Sequence, residues 1–275
     1  MMLIIGERIN SSRKTINEAI TKKDIKFIQQ EAVSQVNAGA DMIDINCGTN
    51  VGKEKSDMEW LVKAVMEVVN APLVIDSPDA AVLEHGLKVY TDLVKNKSGM
   101  TNKRPMINSI TGETVRMNGI LPLVKQYNTM VVALTMDESG MPHNAQQRFD
   151  VAKKVVTAAK EYGIPAEDIY FDCLVRPIST EPDQNKEFWD SIIMIKKGFP
   201  GVKTTCGLSN ISFGLPNRHL INSYFFAISM YIGLDSAVVD ITQKEMRQGL
   251  LIANALLNRD EFCLNYITGT REGKI

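Results

Sequence analysis

The sequence predicts an α/β fold, a single (β/α)8 barrel of the TIM type, from three observations. Short apolar, strand-like segments alternate along the chain with segments of helical periodicity. Eight such pairs occur within 275 residues, which is the repeat number and the length typical of this barrel. No linker, internal repeat or low-complexity tract interrupts the series, so we expect residues 1–275 to form one domain. A doubly wound open sheet is the competing fold, but such sheets usually have about five or six strands.

The eight predicted strands are short runs of apolar, often β-branched residues. Gly, Pro or polar residues punctuate their ends, as is typical of strands that end in turns. They are expected, in chain order, at residues 3–5, 42–46, 73–76, 105–109, 130–135, 169–172, 203–208 and 237–240.

A predicted helix follows each strand. Asp24 is a favourable N-cap for the first helix, Pro78 lies at an early position of the third, and Gly39 and Gly163 end the first and the fifth. The polar insertion at residues 95–103 is predicted to be a surface loop. The helices are expected at residues 24–37, 57–69, from 77–79 onward, 116–127, 146–162, 185–197, 219–232 and 245–257.

Composition and charge argue against several functional classes. The chain has 31 Lys and Arg against 32 Asp and Glu, a net charge of −1 with no basic stripe, which argues against nucleic acid as a partner. Its four cysteines form no CxxC pair, which is typical of a reduced, cytoplasmic protein. Glu7 interrupts the apolar N-terminus before a signal peptide could form, and the most apolar long stretch, residues 224–234, is about half of a membrane span. We therefore expect a soluble cytoplasmic protein.

Polar side chains are predicted to gather at one end of the barrel. In this fold the active site lies where the C-terminal strand ends and the βα-loops meet. A helix cap or an Asx-turn would also account for any single Asp or Asn at such a position, but six strand ends of one chemical type favour a binding site. The residues expected there are carboxylates and amides with few cations: Glu7, Asn10, Asp44, Asn46, Asp76, Asn108, Asp172, Ser209 and Asn210.

Such a ring of carboxylates and amides suits a ligand that is rich in N–H donors. The edge of an aminopyrimidinone, as in a pterin or guanine, has this pattern, because a carboxylate accepts two parallel N–H bonds while amides meet the ring oxygen and the remaining nitrogens. Desolvating these polar groups is costly unless such a partner is bound. The sequence therefore favours a heterocyclic ligand of this type.

Metal and phosphate sites fit the sequence less well. The three histidines, at positions 85, 143 and 219, fall in predicted helices or loops rather than at strand ends, so no metal site is expected. No G-x-G-x-x-G follows a strand, and no P-loop is present. Cys47, Cys173 and Cys206 are expected to be small buried residues rather than metal ligands.

Eight motifs, in order along the chain, resemble those of one enzyme family. They are IIGERIN, DINCG, EWLV, VIDS, MINS, YFDCL, GLSNIS and NRHLIN. Together they are similar to the corrinoid-dependent methyltetrahydrofolate methyltransferases. These enzymes belong to the pterin-binding barrel superfamily, with dihydropteroate synthase and the folate domain of cobalamin-dependent methionine synthase. The resemblance runs from about residue 2 to residue 265.

The resemblance implies which residues hold the pterin ring. Asp76, Asn108 and Asp172 would hydrogen-bond the ring, and Asp44 with Asn46 would form the floor of the pocket. The substrate would be tetrahydrofolate or 5-methyltetrahydrofolate.

The late motifs are implied to carry the catalytic residue. Asn210 would reach N5, the atom that carries the methyl group, while Gly207 and Ser209 would line the pocket and Arg218 would face the aminobenzoyl-glutamate. A tertiary amine is a poor leaving group unless its nitrogen gains positive charge. An amide oxygen that accepts a hydrogen bond from N5–H⁺ would favour that charge, and the carboxylates would add to the effect.

The resemblance also implies a partner. The corrinoid-binding pattern D-x-H-x-x-G is absent from the sequence, so the cobalt would be carried by a separate corrinoid protein that docks at the barrel mouth. The loops at residues 48–57 and 137–147 are candidate contact surfaces, and solvated loops are the alternative.

Two other functions stay open at this point. A dihydropteroate synthase-like enzyme would need Lys and Arg at the late strands to hold diphosphate, whereas these strands run into GLSNIS and into Asp240-Ile241-Thr242. A non-catalytic folate-binding barrel would need no Asn210. The direction of methyl transfer and the upstream donor leave no trace in the sequence, and methylotrophic demethylation, with tetrahydrofolate as acceptor, is the branch we favour.

The sequence also predicts a homodimer. The segment at residues 222–234 is apolar on more than one helical face. One face can cover the barrel, but Tyr224, Phe225 and Tyr231 would then be left exposed in a monomer.

Overall fold

The computed structural model describes residues 2–50, 52–95, 97–100, 103–273 and 275. Strands and helices alternate along these residues. The strands are β1 (Leu3–Asn10), β2 (Met42–Asn46), β3 (Leu73–Asp76), β4 (Met106–Thr111), β5 (Met130–Leu134), β6 (Ile169–Asp172), β7 (Lys203–Thr205) and β8 (Ser236–Val239). The helices are α1 (Lys14–Lys22), α2 (Ile25–Asn37), α3 (Glu54–Val68), α4 (Ala80–Lys95), α5 (Thr114–Tyr127), α6 (Ala145–Glu161), α7 (Gln184–Gly198), α8 (Arg218–Ile232), α9 (Lys244–Leu256) and α10 (Leu264–Arg271).

The eight strands form one parallel sheet that closes on itself. Their order is β7-β6-β5-β4-β3-β2-β1-β8, so each strand lies beside its neighbour in sequence, and β1 also pairs with β8. The last strand returns to β7, where Val238 N donates to Cys206 O over 2.9 Å. The Thr205 and Ser236 hydroxyls are also bonded across this join, over 3.2 Å. The predicted (β/α)8 barrel is confirmed.

Side chains on the two faces of the strands pack into two separate layers. A small cluster fills the barrel interior, and a much larger one lies between the strands and the surrounding helices. Strands that are buried on both faces read as nearly continuous apolar runs, which is why the strand segments stand out in the sequence. The interior cluster is built on Ile5, Met42, Val74, Met106, Val132 and Tyr170.

Local signals in the sequence place several helix ends correctly. The Asp24 side chain accepts a hydrogen bond from Phe27 N over 3.2 Å at the start of α2, as its predicted N-cap role requires. Asn144 does the same for Gln147 N at the start of α6, over 2.9 Å. Gly233 ends α8 with a φ of +115°, a conformation that favours glycine.

Two helices were not predicted. In α1 the buried residues Ile16, Ala19 and Ile20 follow helical spacing, so the signal was present but weak among many polar residues. The short α10 buries only Gly269 and has no apolar face for periodicity to detect.

The prediction for the seventh strand is wrong beyond Thr205. β7 ends there, and residues Leu208–Ser212 form a short 3-10 helix, in which Asn210 N donates to Gly207 O over 3.3 Å. Ser209 and Asn210 therefore lie on a helical turn above the strand end. In contrast, β1 runs five residues further than predicted, to Asn10.

Two predictions about exposure need correction. Phe225 is buried, 5% exposed, because its ring packs 5.7 Å from that of Trp189 and 5.5 Å from that of Phe188 on α7. Met100, in the predicted surface loop at residues 95–103, is also buried, while residues 96, 101 and 102 of that loop lie outside the described residues.

Within the described part of the chain, no helix combines the length and the hydrophobicity needed to cross a membrane.

Candidate functional site

Three polar side chains form a row along the C-terminal ends of β2, β3 and β4. The strand register pairs Asn46 with Asp76, and Asp76 with Asn108. Asn46 donates its Nδ2 to Asp76 Oδ2 over 3.0 Å. Because the register of the parallel strands brings these positions level, residues far apart in sequence become adjacent at the barrel mouth, where active sites of this fold lie.

Asp44 lies one layer deeper on the same face of β2. It precedes Asn46 by two residues, the spacing that places two side chains on one side of a strand. Its carboxylate is 2% exposed and accepts a hydrogen bond from Asn108 Nδ2 over 3.2 Å. These four residues thus form two hydrogen-bonded pairs within one polar cluster across three strands.

The side-chain amide of Asn46 is fixed in one orientation. Its Oδ1 accepts hydrogen bonds from Ser11 Oγ and from Gly48 N, each over 3.0 Å. Ser11 Oγ accepts in turn from Thr49 N over 3.2 Å. Since Oδ1 faces these donors, Nδ2 must face Asp76.

Asp172 lies across the mouth, at the end of β6. Its Oδ1 accepts a hydrogen bond from Leu174 N over 2.7 Å, and the backbone N–H of Gly207 also bonds to the carboxylate. Leu174 has a φ of +60°, so the backbone turns sharply after the strand. Two backbone amides therefore orient this carboxylate.

The turn after β7 carries the remaining predicted residues. Ser209 Oγ donates to Glu7 Oε1 over 2.9 Å, and Ser209 O accepts from Arg218 Nη2 over 2.7 Å. Asn210, next along the turn, is exposed to solvent. A Cβ at Gly207 would lie 3.1 Å from Asn210 Nδ2, so a larger residue at that position would crowd the amide.

All nine predicted site residues lie around the barrel mouth, in two groups. Asp44, Asn46, Asp76 and Asn108 form the first group as two hydrogen-bonded pairs, and the second group consists of Asp172, Gly207, Ser209, Asn210 and Arg218.

Glu7 is the residue that the sequence prediction of the site missed. It was expected at a strand end but received no role, and the structure bonds it to Ser209 and, over 3.2 Å, to Arg13 Nη2. Its charge also acts on Asp44, so it lies between the two groups. The position of Glu7 after a predicted strand indicated that it lies at the mouth. Its contact with Ser209, 202 positions away, could not be predicted from the sequence.

Burial shapes the electrostatics of the mouth. It raises the pKa of Asp76 and that of Asp172 to about 6, and it also raises the pKa of Glu7. Burial and the neighbouring charge of Asp76 raise the pKa of Asp44 well above its usual value. The carboxylates are therefore incompletely solvated, and a ligand that offers N–H donors or positive charge would stabilise them.

His85 lies between outer helices, and the cysteines next to the strand ends are buried. His85 Nε2 lies 2.9 Å from a Glu59 carboxylate oxygen, between α4 and α3. Cys47, Cys173 and Cys206 are buried, as expected. Among the described residues, no group of three or more His, Cys, Asp or Glu is arranged to hold a metal ion.

Comparison with known proteins identifies the family. The model of a family described as pterin binding enzyme matches residues 6–240. The chain belongs to the pterin-binding enzyme family. This pterin-binding enzyme is 37% identical over 276 residues to the methylcorrinoid:tetrahydrofolate methyltransferase of Eubacterium limosum, covering 100% of this chain and 98% of that protein. It is also 33% identical over 252 residues to the methionine synthase of Mycobacterium leprae (strain TN), covering 86% of this chain but only 20% of the synthase.

Solved structures share the fold of this pterin-binding enzyme. A dihydropteroate synthase of Xanthomonas albilineans, in complex with indole-2-carboxylic acid and 6-chloroguanine, superposes with a TM-score of 0.68 at 16% identity. The same synthase with 4-aminobenzoic acid gives a TM-score of 0.67 at 14% identity. Each superposition covers 93% of both chains. At this identity the likeness establishes the barrel alone.

Proposed function

We propose that this chain is a methyltransferase that moves a methyl group between N5 of tetrahydrofolate and the cobalt of a separate corrinoid protein, with residues 1–275 acting as one catalytic domain. The observation that carries the proposal is the carboxylate and amide cluster at the mouth of a pterin-binding barrel. The relative that matches along its whole length, a methylcorrinoid:tetrahydrofolate methyltransferase, supports the reaction.

The polar cluster is the site for the pterin ring. Asp76, Asn108 and Asp172 bind the aminopyrimidinone edge, to which ionised carboxylates offer paired acceptors and an amide offers both a donor and an acceptor. Asp44 and Asn46 form the floor. The protein leaves acceptor positions of these carboxylates unfilled, such as Asp76 Oδ1, and the N–H groups of the pterin fill them, so binding offsets the desolvation that raises their pKa values.

The turn after β7 carries the catalytic residue and the contacts outside the pterin ring. Gly207 and Ser209 line the pocket beside Asn210, and the fixed guanidinium of Arg218 pairs with the glutamate tail of the folate.

Asn210 assists departure of the folate nitrogen. When the methyl leaves N5 towards cobalt, the electron pair of the C–N bond stays on nitrogen, which is a good leaving atom only when it carries a proton. An amide oxygen that accepts a hydrogen bond from N5–H⁺ stabilises that charge in the transition state. The negative carboxylates around the mouth favour the same protonated form.

A separate corrinoid protein must cover the barrel mouth for the cobalt to come near N5. The proposed contact surfaces are residues 48–57 and 137–147, which comprise the predicted loops and the first residues of α3 and α6. Val51 lies outside the described residues. The printed name of the E. limosum relative puts the methylcorrinoid first and tetrahydrofolate second. This supports tetrahydrofolate as the acceptor, as in methylotrophic demethylation, in a cytoplasmic enzyme of one-carbon metabolism.

We also propose that the enzyme is a homodimer. Four apolar side chains form a stripe on the outer face of α8, and none of them is covered by other described residues. Tyr224 and Tyr231 are 68% and 74% exposed. Contiguous exposed apolar surface of this kind favours an interface. The stripe consists of Leu220, Tyr224, Ile228 and Tyr231.

A direct assay tests the proposed reaction. The enzyme is mixed with 5-methyltetrahydrofolate and cob(I)alamin, and in the reverse direction with methylcobalamin and tetrahydrofolate, and the visible absorbance of the corrinoid is followed. We expect enzyme-dependent conversion in at least one direction. No conversion in either direction, with folate binding intact, would leave a folate-binding barrel and exclude the methyltransferase.

A further inference from the structure

Arg148, on the first turn of α6, is a buried cation that the proposed reaction does not use. Its side chain is 0% exposed. Its Nε donates to Cys173 O over 2.8 Å and its Nη2 donates to Gln184 Oε1 over 2.9 Å. The third nitrogen, Nη1, has no hydrogen-bond partner among the described residues. The guanidinium is therefore bonded only to neutral groups.

Two other partly buried arginines of this protein are paired with carboxylates. Arg104 bonds to Asp168 and Arg8 bonds to Glu31, each over 2.6 Å. Within the described ranges no carboxylate lies at ion-pair distance from Arg148. Burying a charge without an ion pair is costly. We therefore expect a carboxylate beyond ion-pair distance whose ionised form is stabilised by the Arg148 charge.

Asp172 is that carboxylate. Arg148 donates a hydrogen bond to the carbonyl of Cys173, the residue that follows Asp172. Its positive charge also acts electrostatically on the Asp172 carboxylate. Thr135, which directly follows β5, also fixes this stretch, because its N and Oγ1 both donate to Asp172 O, over 3.0 and 2.9 Å. The end of β6 is thus held between α6 and β5.

Among the groups that act on Asp172, Arg148 is the one that carries a positive charge. Burial raises the pKa of Asp172 to about 6, and the N–H groups of Leu174 and Gly207, together with Arg148, act in the opposite direction. The thiols of Cys173 and Cys206 also lie close, but burial raises their pKa values, so they remain neutral. The charges of Arg176 and Glu187 act on Arg148 with opposite signs.

We propose that Arg148 is a positioning residue for Asp172: its bond to Cys173 O holds the turn that presents the carboxylate at the barrel mouth, and its buried charge favours the ionised form of that carboxylate. This inference rests on the proposed folate site, since only an ionised Asp172 accepts two N–H bonds from the pterin. Without the charge, Asp172 would take up a proton closer to neutral pH and folate would bind less tightly there.

Gln184→Glu tests the electrostatic part without removing Arg148. The substitution keeps an oxygen acceptor opposite Arg148 Nη2 but makes it negative, which offsets the guanidinium charge. Gln184 is the first residue of α7, where an acidic side chain is favourable, so we expect the variant to fold. Affinity for 5-methyltetrahydrofolate is measured by calorimetry from about pH 5 to about pH 9, a range that spans the pKa of Asp172.

We expect the pH at which affinity falls to rise by about half a unit or more in Gln184→Glu. Gln184→Met is the uncharged control, because it loses the hydrogen bond to His143 O as Gln184→Glu does, and also the bond from Arg148, without adding charge. Gln30→Glu, at an exposed position on α2, adds the same charge far away. Both controls should keep the wild-type midpoint. Arg148→Gln should raise the midpoint, whereas Arg148→Lys should preserve it.

A double-mutant comparison assigns the shift to Asp172. In an Asp172→Asn background, Gln184→Glu should no longer move the midpoint, because the carboxylate that responds to the charge at position 184 is gone and the remaining midpoint belongs to carboxylates such as Asp76. An unchanged midpoint in Gln184→Glu, or a shift that persists without Asp172, would overturn the inference while the folate site stands. Failure of the wild-type enzyme to bind 5-methyltetrahydrofolate would overturn both.

Discussion

Asn46 donates its amide to Asp76 across the boundary between β2 and β3, over 3.0 Å, while Ser11 and Gly48 occupy the opposite end of the same amide. This contact occupies one oxygen of the Asp76 carboxylate. The other, Oδ1, has no hydrogen-bond partner among the described residues. Asp76 is thereby held in place and still presents an acceptor to a ligand at the barrel mouth.

Removing this carboxylate should weaken folate binding. We expect Asp76→Ala to lower the affinity for 5-methyltetrahydrofolate about 30- to 1000-fold, or ~2–4 kcal/mol, because a half-buried carboxylate loses its hydrogen bonds to the aminopyrimidine. Titration calorimetry measures the dissociation constant. Asp183→Ala is a matched control at an exposed position with no side-chain capping bond, and its affinity should match the wild type. An unchanged constant in Asp76→Ala would refute the assigned role.

The ionised Asp76 carboxylate should lower the stability of the unliganded protein at neutral pH. Burial raises the pKa of Asp76 to about 6 in the folded state, above the value of about 4 in an unfolded chain. The folded state therefore binds the proton more tightly than the unfolded state does. Above pH 6 the ionised carboxylate lowers the free energy of unfolding by its full amount, and this loss disappears as the pH falls from about 6 to about 4.

Asp76→Asn should consequently raise the free energy of unfolding by about 1–3 kcal/mol at pH 7.5. Its Oδ1 can still accept the hydrogen bond from Asn46. Urea denaturation at pH 7.5 and at pH 4 measures the effect. The advantage of the variant should shrink at the lower pH, and an equal advantage at both values would rule out the ionisation of Asp76 as its cause.

Gly207 should control the position of the Asn210 amide. Its φ of −74° is accessible to any residue, so the backbone tolerates alanine. The added Cβ would lie 3.1 Å from Asn210 Nδ2 and push the amide aside. We expect Gly207→Ala to slow methyl transfer about 3- to 30-fold with a smaller effect on folate affinity.

Gly119→Ala supplies the control for that comparison. Gly119 lies on α5, and a Cβ there would meet only Ala80 Cβ, at 3.9 Å. Its transfer rate should equal that of the wild type. Equal rates for Gly207→Ala and the wild type, measured by stopped-flow absorbance, would show that the close approach of Gly207 and Asn210 does not matter for catalysis.

The exposed stripe on α8 should hold two subunits together. Light scattering at micromolar concentration should give twice the 30.6 kDa mass of one chain. Tyr224→Lys combined with Tyr231→Lys should yield the monomer, because two buried charges would oppose association. Val33→Lys, at a less exposed apolar position on α2, should leave the mass unchanged. A monomeric wild-type mass would contradict the dimer.

Local patterns in the sequence were sufficient for the barrel and for one side of the mouth. Asp44, Asn46, Asp76 and Asn108 could be predicted together because each is a polar residue within or at the end of a buried strand, and parallel strands place such positions side by side. Asp24 could be assigned as a cap because the interaction involves a backbone N–H three residues away.

Contacts between distant segments could not be predicted in the same way. The bond between Glu7 and Ser209 depends on how the turn after β7 folds over the barrel, and no local pattern encodes it. The burial of Phe225 depends on aromatic rings of α7. Both features are decided by tertiary packing, which periodicity does not report.

The central claim is that Asn210 acts on the charge that develops at N5 while Asp76 acts on binding. Single-turnover methyl transfer from 5-methyltetrahydrofolate to cob(I)alamin, measured at saturating folate, isolates the chemical step for both variants. We expect Asn210→Ala to lower this rate about 10²- to 10³-fold, or ~2–4 kcal/mol, with a smaller change in affinity. Asp76→Ala should keep a rate close to that of the wild type once its weaker binding is overcome. Near-normal transfer by Asn210→Ala, together with loss of transfer by Asp76→Ala, would contradict this division of roles.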